Sequence, residues 1–222
     1  VCHCMGATVA PCARAGEAKF RAAILRGAGG SFSENVRYKQ RRLRGRGFAE
    51  LLLGVAGGHT LGESAPVLSF FQGAGEPADP PAYARAIVHE PSSAPAHVLM
   101  IQGIVDHYIM PSIANAASLS LGLDLAGDAL DAVTPELADT PHLAEMLTFS
   151  GRAQISLPAS GNPGGATAVV VQAKEDGIQD GHEVVFQTAG PKHQYRCFLE
   201  SLALGLPRVP TPAAELTACP SP

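Results

Sequence analysis

Three positions carry residue types that together can do nucleophilic chemistry: a sulfur at Cys4, a carboxylate at Asp106 and an imidazole at His182. Cys4 sits in Cys2-His3-Cys4-Met5-Gly6, just before a run of small apolar residues. A nucleophile held on a sharp turn from strand into helix stands clear of its neighbours, and such a turn calls for small residues two positions to either side. Gly6 meets that requirement on one side and Cys2 occupies the other. A histidine in reach takes the thiol proton, and a carboxylate behind it fixes the tautomer and stabilises the imidazolium. The backbone N–H of Met5, at the start of the following helix, would donate to an oxyanion where the helix dipole also favours negative charge.

Each of these residues has a plainer reading. Cys4 alone is a small buried thiol, as free cysteines often are. Asp106, in "QGIVDHYIMP", could cap a helix or a turn before Pro111. Asp79 and Asp124 are the other acids in play, and His107 and His193 the other imidazoles. His193 falls on a closing helix, where surface or packing use is expected. His107 follows Asp106 directly and would point elsewhere. His182, in "DGHEVVF", is favoured because it lies in the loop after the last apolar run.

The five cysteines are Cys2, Cys4, Cys12, Cys197 and Cys219, an odd count that argues against a fully paired disulfide framework and leaves the redox compartment open. C-x-C around His3 is poor zinc spacing and no second cluster completes it, so no metal site is read from the sequence. "GAGG" at Gly27 to Gly30 lacks the dinucleotide-binding spacing and reads as a strand-end turn.

The elements that would position these groups alternate. Ala22 to Leu25, "HVLMIQG" and "ATAVVVQ" are short continuous apolar runs, the pattern of strands buried on both faces. Helices are expected over Gly6 to Ala15, in "GFAELLLGVAGG" and "SAPVLSFFQ", over Ala82 to Val88, in "PSIANAASLSLGL" between Pro111 and Gly122, and in "KHQYRCFLESLALG". Asp124 to Leu147 reads as acidic and irregular, and "RAQISLPAS" as a strand or an extended arm. The pattern implies an α/β chain with a mostly parallel sheet of about three strands, whose ligands bind at the carboxyl ends. The expected divisions are 1–30 (turn, helix and strand), 31–96 (helical insertion), 97–206 (late strands and helices) and a frayed Pro-rich tail over 207–222.

Composition excludes some functions. The chain has 222 residues, 46% hydrophobic and 16% charged, with a net charge of -4 that gives no electrostatic case for nucleic acid. The basic run Arg37 to Arg46 has a single aromatic, Tyr38, and no matching fold, and reads as a solvated face. No apolar run approaches the roughly 20 residues of a membrane helix, and no signal peptide is visible.

In these three places the chain resembles the α/β-hydrolase superfamily, in particular its bacterial esterase- and lipase-like members. Cys2-His3-Cys4-Met5-Gly6 matches the G-x-S-x-G nucleophile elbow, "QGIVDHYIMP" the acid loop and "DGHEVVF" the late histidine loop, in the family's order of nucleophile, acid and His. The resemblance spans Val1 to about Leu206. It implies a carboxylic ester hydrolase working through an acyl-enzyme on a small-molecule ester, with Cys4, His182 and Asp106 as the triad and Met5 as one oxyanion donor. No metal or organic cofactor is implied. The insertion would be a cap, with Phe48, Leu51, Leu52, Leu53, Phe70 and Phe71 as core or as the lining of an acyl pocket. Cys stands where the family has Ser, and Cys2 where it has Gly. The elbow follows the fifth strand in this family, so the chain looks like the C-terminal half, with earlier strands and the second oxyanion donor expected upstream of Val1. The alternative is an inactive hydrolase-fold remnant serving packing or binding only.

Overall fold

Three apolar runs pair side by side because their backbone groups have no other buried partner. In the computed structural model, which describes residues 1–41, 44–55, 60–62, 64–92, 94–214 and 217–220, the strands in chain order are β1 (Cys2–His3), β2 (Ala22–Arg26), β3 (His97–Ile104), β4 (Asp124–Ala126), β5 (Gln154–Ile155) and β6 (Ala168–Lys174). They form one sheet in the order β1-β2-β3-β6-β4-β5, and every pairing in it is parallel. The protein is therefore an α/β chain on a parallel sheet. The described residues hold six strands rather than about three. The further strands have two or three residues each, too short to carry a readable apolar period, and one of them, β5, lies in "RAQISLPAS", expected as a strand or an extended arm.

The sheet is covered on both faces. Leu25, Val98, Met100, Ala168 and Val170 face one core, shared with Ile87 and Ile113. Ile24, Leu99, Ile101, Val169 and Val171 face the other, shared with Val185 and Phe198. Alternate residues of each strand thus enter opposite cores, which is why these runs are continuously apolar. Full burial of each such side chain is worth about 1.5–3 kcal/mol, so the central strands are held firmly and their ends are fixed in space.

The first core is closed by helices α1 (Met5–Gly16), α5 (Pro81–Val88) and α6 (Pro111–Leu121), and the second by α8 (Val184–Gln187) and α9 (Ala189–Ala203). Between them in sequence lie α2 (Phe32–Tyr38), α3 (Gly45–Leu52), α4 (Pro66–Gly75) and the one-turn α7 (Leu143–Met146). Helix α6 has Pro111 in its first turn and Gly122 beyond its end at φ 65°. A Cβ there would lie 1.8 Å from His89 Nε2, so both conformation and space call for glycine.

Helices α2, α3 and α4 build a small cluster of their own around Ala49, Leu61 and Leu68. Phe48, Leu51, Leu52, Leu53, Phe70 and Phe71 are exposed, which overturns their reading as core; helical spacing shows that a face is apolar, not what covers it. The basic run lies partly on α2, and its residues 42–43 fall outside the described residues, as do Ala56, Gly57 and Gly58 of the expected helix stop. The tail is also not frayed where it is described. Val209 is fully buried and pairs with Ala159, Thr167 Oγ1 donates to the Pro207 carbonyl, and a disulfide joins Cys197 to Cys219. Proline removes regular structure without removing packing.

Candidate functional site

All six strands run the same way, so the turns after β1, β2, β3 and β6 emerge at one rim. Cys4 occupies the turn from β1 into α1, with φ 55° and ψ -129°. Among the described residues only Ser31 shares a positive φ without being glycine. A side chain in this region is strained by about 1–3 kcal/mol and persists only where its surroundings fix it. Here the Cys4 N–H donates to the Arg26 carbonyl at 2.9 Å, and the Cys4 carbonyl accepts from Thr8 N–H at 3.0 Å. Met5 is the first residue of α1, so its N–H has no acceptor within the helix. Gly6 differs from expectation: a Cβ there would meet nothing within 4 Å, so steric need does not explain it. Cys2 packs half-buried against the first core.

The structure brings Asp106 and His182 together. Asp106 Oδ2 lies 2.7 Å from His182 Nδ1, and both side chains are buried, at 2% and 4% exposure. The other oxygen, Oδ1, accepts from the backbone N–H groups of Tyr108 and Ile109, each at 2.8 Å. The carboxylate is thus aimed by two backbone donors, and the imidazole by the carboxylate. Asp106 does sit in the turn before Pro111, as the plainer reading has it, and presents its second oxygen to His182. Burial pulls the His182 pKa down, but the hydrogen bond and charge of Asp106, joined by Cys4 beside the ring, outweigh it and hold the value at about 9.

Backbone close approach makes this pairing possible. Gly27, at φ 55° after β2, leaves room for the imidazole: a Cβ would lie 2.8 Å from His182 Cε1 and 2.9 Å from Nδ1. Gly103 near the end of β3 lies against Gly181, where a Cβ would fall 1.8 Å from the Gly181 carbonyl oxygen. The acid loop and the histidine loop therefore touch backbone to backbone, with Gly181 N–H donating to the Val105 carbonyl at 3.0 Å.

Asp180 clamps the two loops. Its Oδ1 accepts from His107 N–H and His182 N–H, both at 3.0 Å, and its Oδ2 pairs with His107 Nδ1 at 2.8 Å. Burial raises the Asp180 pKa, but these donors together bring it below the ordinary carboxylate value. His107 thus points away from the triad positions, as its place next to Asp106 implies. The remaining alternatives have other work. Asp79 accepts from Ser31 N–H, Phe32 N–H and Gln72 Nε2, tying α2 and α4 to the body. Asp124 accepts from Ala153 N–H and Asn162 Nδ2. His193 is buried on α9 beside Cys197, away from solvent.

Side chains that sequence reading passed over surround the imidazole. The His3 ring lies 4.7 Å from that of His182 and 5.0 Å from that of Phe186, and the Tyr108 ring lies 4.9 Å from His182 on another side. Arg26 lies over Phe186 at 4.7 Å. Burial, followed by the charge of His182, lowers the His3 pKa. Gly27 and Asp180 were visible in sequence only as turn residues; nothing local marks the partner that each meets across the fold.

Fold and site thus define an α/β protein with a thiol, an imidazole and a buried carboxylate at the carboxyl rim of a parallel sheet. Comparison with protein-family models, curated proteins and solved structures finds no match to the chain. Among the described residues, no helix is long and apolar enough to cross a membrane.

Proposed function

We propose that the protein is a hydrolase of carboxylic esters, of the α/β-hydrolase type, working through an acyl-enzyme on Cys4. The observation that carries this reading is the strained Cys4 turn beside a His182 whose far nitrogen is bound to buried Asp106. Strain at a cysteine next to an imidazole held in one tautomer is what a positioned nucleophile requires and what a packing cysteine does not.

In this reading the reactive form is a thiolate paired with the His182 imidazolium. The sulfur attacks the ester carbonyl, and the developing oxyanion is met by Met5 N–H at the start of α1. His182 then protonates the departing alcohol, leaving a thioester on Cys4. Water, deprotonated by the neutral imidazole, attacks the thioester, and the carboxylic acid and free thiol are released. Asp106 keeps Nδ1 protonated throughout and stabilises each imidazolium.

The test is turnover of p-nitrophenyl acetate and butyrate by the purified protein against Cys4→Ala. Turnover that persists at the same rate in the variant, or that is absent from both, rejects the proposal. Cys4→Ser separates a working thiol from a second reading, a hydrolase fold retained for packing or binding. That reading is favoured by cysteine at both Cys2 and Cys4, and it predicts a gain in rate on substitution by serine.

A further inference from the structure

We propose that His3, His182 and Glu183 form a binding site for a divalent transition-metal ion of the zinc type. One ring nitrogen of each histidine and one carboxylate oxygen of Glu183 lie within 4.8 Å of one another. Tetrahedral zinc, with bonds of about 2.0–2.2 Å to nitrogen and oxygen, needs its ligands about 3.4 Å apart. The difference is within reach of side-chain rotation. Glu183 is on the surface, its carboxylate standing 4.0 Å from His3 Nε2, a distance too long for a hydrogen bond. His3 Nδ1 is buried without a hydrogen-bond partner, so no competing contact on that nitrogen fixes the ring.

The donor set selects the ion. Two imidazoles and one carboxylate suit zinc and its neighbours rather than magnesium or calcium, which take oxygen ligands. His182 is also already oriented as a metal ligand: Asp106 holds its Nδ1 at 2.7 Å, which leaves Nε2 to take the ion in exchange for its proton. A carboxylate–histidine–metal relay of this kind fixes the ring and strengthens the nitrogen as a ligand. The fourth position of the ion falls to solvent. Arg26, whose charge reaches His3, opposes the ion, while the carboxylates of Glu183 and Asp106 favour it.

One consequence rests on the hydrolytic reading above. The metal would occupy the nitrogen that exchanges the proton with Cys4 and with the alcohol, so bound zinc and ester turnover exclude each other. The two claims are separated by measuring binding directly. Zinc sulfate is titrated into the protein against a chromophoric chelator, alongside His3→Gln and Glu183→Gln, with thermal unfolding of each to show that it is folded. One ion per chain is expected, with affinity falling at least about tenfold in each variant, since loss of even an outer partner costs that much. No binding, or equal affinity in all three proteins, overturns the site, and because the free thiols are kept in every variant, equal affinity would assign the ion to them. In the same preparations, saturating zinc should abolish ester turnover; turnover unchanged by saturating zinc overturns the exclusion. A protein that binds zinc as expected but never cleaves ester would reject the hydrolytic reading and leave the metal site standing.

Discussion

Replacing Asp106 by asparagine tests the buried pair with almost no change in shape. The carbonyl of the new side-chain amide can still accept from the Tyr108 and Ile109 N–H groups, each now 2.8 Å from Oδ1, so the loop should hold. The amide nitrogen then faces His182 Nδ1 and donates to it. The imidazole is driven into the tautomer with its proton on Nε2, which can no longer receive one from Cys4. Loss of the carboxylate also removes the main influence that lifts the His182 pKa to about 9, while the burial that lowers it remains. The value should fall to the ordinary imidazole range of about 6.5 or below, a change of about 3 kcal/mol in favour of the neutral ring. The sign of the pH effect follows. In the wild type the folded-state pKa lies above the unfolded one, so the stabilisation is complete below about pH 6.5 and is lost as pH rises through about 9. Denaturant midpoints measured across that window should fall in the wild type and stay nearly flat in Asp106→Asn. Ester turnover should drop by about 10³–10⁴. An NMR titration in which His182 keeps a pKa near 9 in the variant would refute the assignment of that shift to Asp106.

Two further substitutions examine how the site is held. Gly27→Ala places a methyl 2.8 Å from His182 Cε1 on a residue at φ 55°, and should cost about 1–3 kcal/mol in unfolding experiments and at least about tenfold in turnover. Turnover equal to wild type would show that His182 does not need that space. Asp180→Ala removes the acceptor shared by the His107 and His182 loops and should lower stability at pH 7 by on the order of 2 kcal/mol. Because the Asp180 pKa is depressed, that contribution is present above the ordinary carboxylate value and lost as pH falls through the depressed one, so the two proteins should converge in acid. A constant difference down to the lowest pH would assign the loss to packing instead.

The long strands were legible because burial on both faces demands unbroken apolar runs. "HVLMIQG" and "ATAVVVQ" became β3 and β6, and their pairing, Val98 to Ala168 onward, follows from their being the two most buried strands. β5 falls within "RAQISLPAS", read as a strand or an extended arm, whereas β1 and β4 were not legible, since two or three residues cannot display a period. Asp106 and His182 could be singled out because each follows an apolar run at its carboxyl end, and Cys4 because Cys2-His3-Cys4-Met5-Gly6 matches a nucleophile turn just before a run of small apolar residues. That rule locates a rim but does not say which side chains face each other across it. His3 meeting Glu183, Gly27 meeting His182 and Asp180 meeting His107 are products of chain crossings, and local sequence holds no trace of them. The exposed Phe70 and Leu51 mark the opposite failure, where an apolar helical face suggests core but none of the described residues covers it.

The most direct measurement is the site of acylation. The protein is mixed with p-nitrophenyl butyrate, quenched in acid within the first turnover, digested, and mapped by mass spectrometry over the peptides carrying Cys2, Cys4 and Cys12, the thiols outside the disulfide. A single butyryl thioester on Cys4, absent from the Asp106→Asn variant, is the predicted result. Acyl groups spread equally over the three thiols, or placed on Cys2 or Cys12 alone, would contradict it.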